Sequence, residues 1–68
     1  MNFYDVVSFE DDPIGDIIEF DDGVCILKFN IYKKAHCFDT FTKLEKFMKV
    51  IRLQDYKIIK NGVESNEI

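Results

Sequence analysis

His36 and Cys37 are the first residues to weigh for chemistry, because a thiol beside an imidazole is a nucleophile with its base at hand. They are neighbours in "KKAHCFD", a segment that reads as a strand. Successive side chains of a strand point to opposite faces, so the pair is badly arranged for proton transfer. Cys25, His36, Cys37 and an aspartate would make four zinc ligands on paper, but no closely spaced Cys-Cys or His-His pair anchors such a site. The two cysteines read instead as small hydrophobes.

The acids Glu10, Asp11, Asp12, Asp16, Asp21 and Asp22 invite a calcium site, yet the loop of alternating Asp/Asn ligands closed by a distal Glu is missing. They read as solvated, Asp-rich turns. Three glycines, Gly15, Gly23 and Gly62, are too scattered to build a phosphate-cradling loop. The expectation is a protein that is not an enzyme, with no catalytic group, metal or cofactor.

Charge is more informative. Residues 1–27 hold eight of the thirteen acids and no base, whereas all nine bases lie between residues 28 and 60. The acids can pair with the basic half of the chain, steer a basic partner, or imitate the negative surface of a nucleic acid. Because the first two strands are chain neighbours, Glu10, Asp11, Asp12, Asp16, Glu19, Asp21 and Asp22 are expected to cluster along one acidic edge. Lys43, Lys46, Lys49 and Arg52 read as the solvated face of a helix, and direct nucleic-acid binding is not expected, since the chain is acidic overall.

Such residues need a scaffold. A chain of 68 residues has room for one domain and buries only about 60% of the surface it exposes when unfolded. A 47% hydrophobic share with seven Phe and three Tyr implies an aromatic core. No apolar run approaches the roughly 20 residues of a membrane-spanning helix. No signal peptide opens the chain and cysteines are few, so a cytoplasmic protein with reduced thiols is expected.

Asp22-Gly23 sits between two apolar runs and predicts a two-residue hairpin turn, pairing Phe20 with Cys25 and Ile18 with Leu27. One face would hold Ile18, Phe20, Cys25, Leu27, Phe29 and Ile31. The other would hold Ile17, Glu19, Val24, Ile26, Lys28, Asn30 and Tyr32. Upstream, "NFYDVVSFE" reads as a first strand with "DDPIG" as its turn. It turns inward either Phe3, Val7 and Phe9, with Asp5, or Tyr4, Val6 and Ser8.

Thr42 followed by Glu45 has the capping-box pattern, with Thr40 as the competing cap. Phe41, Leu44, Phe47, Met48 and Ile51 recur at helical spacing and predict an amphipathic helix over residues 41 to 53. "YKIIKNG" is a short last strand, and residues 63–68 form a polar tail expected to fray.

The predicted architecture is α+β and two-layered: an antiparallel sheet of four or five strands, in the order β-β-β-β-α-β, covered on one face by one helix, within a single domain of residues 1–62. A single helix leaves Ile17, Val24, Ile26 and Tyr32 on the other face, available to a protein partner together with the acidic edge. The expected function is a small protein-interaction module. Its most specific form is an inhibitor of a nucleic-acid-handling or defence protein, of the size that phages and other mobile elements carry. The alternative is a structural homo-oligomer, a homodimer for instance, with scope for a small ligand enclosed between subunits.

Overall fold

The computed structural model describes residues 1–51 and 56–61. Five strands and one helix follow in the order β1 (Asn2–Ser8), β2 (Pro13–Glu19), β3 (Cys25–Phe29), β4 (Ala35–Phe38), α1 (Phe41–Val50) and β5 (Tyr56–Asn61). The strands form one sheet in the order β4-β3-β2-β1-β5, every neighbouring pair antiparallel. The helix lies on one face, so the predicted two-layer α+β architecture is the one observed.

The β2–β3 hairpin differs from expectation by one residue. The amide of Phe20 donates to the Val24 carbonyl and that of Gly23 donates to the Phe20 carbonyl, leaving three residues, Asp21, Asp22 and Gly23, in the loop. Gly23 has φ of +95°, the left-handed conformation that closes a three-residue hairpin loop. Glu19 therefore faces Cys25, Ile18 faces Ile26 and Ile17 faces Leu27. Because side chains alternate, this step inverts β2 relative to β3. Ile17, expected on the open face, is fully buried under the helix, and Ile18 takes its place outside.

The turn between β1 and β2 also lies earlier than "DDPIG" suggests. Pro13 is the first residue of β2, where a missing N–H is tolerated. The reversal is made by residues 9–12, with the Ser8 hydroxyl accepting from the Glu10 and Asp12 amides and Asp11 at φ of +68°. The register of β1 against β2 shifts between Val6 and Val7, so Ile14 has no partner on β1. Of the two orientations open for β1, the one observed turns Tyr4 and Val6 toward the helix.

The helix begins with Thr40 as N-cap, its hydroxyl accepting from the Lys43 amide at 3.2 Å, so the competing cap rather than Thr42 is used. Leu44 and Met48 are fully buried against Val6, Ile17, Cys25, Leu27 and Phe29, with Phe41 and Phe47 packed at the margin. The helix is described to Val50 with Ile51 as C-cap; the expected extension to residue 53 and the fraying tail lie outside the described residues.

At Gly15 the backbones of β2 and β3 approach closely. A Cβ there would stand 2.5 Å from the Lys28 carbonyl oxygen and 3.1 Å from the Phe29 Cα. Gly15→Ala is expected to destabilise the fold by about 1–3 kcal/mol, as overpacking does, despite the reduced freedom of the unfolded chain. A urea unfolding midpoint equal to or above that of the parent would contradict this close approach.

Candidate interaction surface

Directly opposed residues of neighbouring strands share a face, so the registers define the side of the sheet away from the helix. One row crosses it as Phe3 on β1, Ile18 on β2, Ile26 on β3 and Cys37 on β4. The next row holds Ile59, Asp5, Asp16, Lys28 and Ala35. Phe20 and Val24, bonded to each other across the turn, extend the face at one end. Phe3 is 47% exposed and Ile59 46%, while Ile18 and Ile26 are half-buried by their neighbours.

Of the four apolar residues expected on this face, Ile26 is there, and Val24 follows by alternation. Ile17 is in the core, and Tyr32 lies past the end of β3, 58% exposed, its ring 6.2 Å from that of Phe29. Phe3, Ile18 and Ile59 were not foreseen. Their signal was present in the alternation of each strand, but assigning it to a face required the length of the β2–β3 loop.

The acids do not form one edge. β1 and β2 are interior strands of the sheet, and its edges are β4 and β5. Glu10, Asp11 and Asp12 lie in the β1–β2 turn, and Asp21 and Asp22 in the β2–β3 turn, at the opposite end of β2. Asp16 projects from the helix-free face and Glu19 from the other. Asp11 is paired with Lys57 of β5 at 2.6 Å and Asp21 with the amino terminus, so part of the acid excess is compensated within the chain.

Glu19 has a structural role. Its carboxylate accepts from Asn2 Nδ2 at 3.0 Å and from the Tyr4 hydroxyl at 2.7 Å, tying the start of β1 to the end of β2. The hydrogen bonds from Asn2 and Tyr4 hold its carboxyl below the ordinary range. Burial, followed by the hydrogen bond to Glu19, pushes the Tyr4 hydroxyl up to about 12.

Cys25 is fully buried and its thiol is pushed up by burial and by the nearby Glu19, the reverse of what a nucleophile requires. Cys37 is exposed on the other face. His36 lies on the helix side, its ring 5.0 Å from that of Phe47 and 6.3 Å from that of Phe29. It borders an apolar cavity of about 240 Å³ lined also by Ile14, Ile31, Tyr32 and Ile51. His36 and Cys37 are thus divided by the sheet. Among the described residues no three His, Cys, Asp or Glu side chains are grouped so as to hold a metal ion, and no helix is long and apolar enough to cross a membrane.

Compared with models of protein families, with curated proteins and with solved structures, the chain matches none.

The Tyr4–Glu19 pair fixes a pH window. Glu19 has a lowered folded-state pKa, so its contribution is present above the ordinary 4.5 and is lost as pH falls through the folded value. Tyr4 is favoured as the neutral phenol, so its contribution is present below 10.0 and is lost between there and about 12. Urea midpoints are expected to decline on both sides of this window. Tyr4→Phe should remove part of the alkaline decline and Glu19→Gln part of the acid one; unchanged limbs in both variants would refute the coupling.

Proposed function

We propose that this chain is a non-enzymatic protein-interaction module that docks through the helix-free face of its sheet. The observation that carries the reading is the apolar row Phe3, Ile18 and Ile26 on a face that no described element covers. Burying such side chains is worth roughly 1.5–3 kcal/mol each, and a chain this small has few other sources of stability.

The end-placed acids supply the electrostatic part. Asp11 and Asp21 are engaged within the chain, which leaves Glu10, Asp12 and Asp22 to steer a basic partner toward the rim of the face. In its more specific form the partner is a nucleic-acid-handling or defence protein that the module inhibits. Action in the cytoplasm belongs to the same reading. It is supported by Cys25 and Cys37 facing opposite sides of the sheet, where no disulfide can join them within one chain.

Ile26→Lys places a charge within the apolar row, on β3, at a position that is not part of the core. Tagged parent and variant, each shown to be folded by circular dichroism, would be compared for retained proteins in host lysate at about 50 and 300 mM salt. A protein held by the parent, more strongly at low salt, and lost from Ile26→Lys is expected. A protein retained equally by parent and variant would overturn the assignment of this face to that partner.

A further inference from the structure

Resting on the reading of the helix-free face as a docking surface, we propose that its occupant is a second copy of this chain, stacked face to face about a two-fold axis running along β2. The argument lies in how that face is ordered about its middle strand. β2 is the central strand of five, with β1 on one side and β3 on the other. Across these three strands one row reads Phe3, Ile18, Ile26 and the next Asp5, Asp16, Lys28.

A two-fold axis along β2 keeps each row at its own height and exchanges β1 with β3. Ile26 of one copy then lies over Phe3 of the other, and Ile18 lies over Ile18. In the second row Lys28 lies over Asp5, and by symmetry this contact is made twice. Farther out, Ala35 of β4 lies over Ile59 of β5. An interface between identical chains requires that a patch complement itself, and opposite charges at equal distance on either side of the axis satisfy that requirement.

The spacing is consistent. Stacked sheets lie about 10 Å apart, a gap that a lysine reaching toward an aspartate can span. The roughly 30° rotation usual between stacked sheets displaces β1 and β3 by about 2–3 Å along the strands, less than one residue. Neither Asp5 nor Lys28 enters an ion pair among the described residues, and Asp5 accepts a hydrogen bond from Asn61 Nδ2 at 3.1 Å through Oδ2, which leaves its charge unneutralised within the chain. Asp16 is the one unfavourable member: it sits on the axis and faces its own copy.

The test uses trans-complementation of charge. Asp5→Lys opposes two lysines at both symmetric contacts, and Lys28→Asp opposes two aspartates. Each variant alone is expected to sediment at the 8.0 kDa chain mass, whereas the parent sediments at twice that value. An equimolar mixture restores the dimer, because Lys28 of one variant meets Asp5 of the other and the two introduced charges meet each other. Pairing within one chain cannot produce that recovery.

Asp16→Asn supplies an independent arm should either reversal fail to fold: removing the like charges at the axis lowers the dissociation constant about tenfold. A parent that stays at the single-chain mass at high concentration overturns the dimer. So does a folded mixture that stays monomeric, or an Asp16→Asn constant equal to that of the parent. Any of these results accompanied by an Ile26→Lys-sensitive partner of different sequence would leave the docking face standing and remove only the second copy.

Discussion

The three-residue loop Asp21-Asp22-Gly23 governs this molecule, because it sets the register of β2 against β3 and so decides what each face of the sheet is made of. With Gly23 in the left-handed region, Ile17 stands opposite Leu27 and both are sealed beneath Leu44 and Met48. The same register sends Ile18 and Ile26 outward together. A loop shorter by one residue would bring Ile18 under the helix, expose Ile17 and turn Glu19 outward, away from Asn2 and Tyr4. Core, hydrogen-bonded corner and the apolar row of the helix-free face are all consequences of one turn.

Electrostatics acts on a different scale. The separation of acids and bases along the chain becomes, in the fold, acids concentrated in the turns at the two ends of β2 and lysines spread over α1, β5 and the loop before β4. Lys57 reaches back to Asp11, and the amino terminus reaches Asp21, so both turns are tethered by exposed charge pairs of modest worth. These contacts contribute little to stability. They reduce the acidic excess at each turn, leaving a rim that is negative but not uniformly so.

Much of the architecture was legible in the sequence. The spacing of Phe41, Leu44, Phe47, Met48 and Ile51 identifies the helix and its core-facing side, of which Leu44 and Met48 are buried, Phe41 and Phe47 lie at the margin and Ile51 is an exposed C-cap; the separation of His36 from Cys37 follows from strand geometry alone. The element order needed only alternation and turn residues, whereas the place of the last strand, beside β1, is set by tertiary pairing that no local pattern encodes. The relation between β2 and β3 was not legible, because Asp22-Gly23 suits a two-residue turn as well as the end of a three-residue loop. Nor was the single acidic edge: sequence neighbours became interior strands once β5 returned to the outside of β1.

The outer strands bear on how assembly ends. β5 carries Lys57 and Lys60, and β4 is only four residues long and follows Lys33 and Lys34. Short or lysine-bearing edges resist the addition of further strands. Lateral growth, the route to filaments and to colloidal loss of a small sheet protein, is thereby discouraged at both ends of the order. The proposed association across the helix-free face would instead exhaust itself after one addition, leaving a sheet adhesive on its surface and inert along its borders.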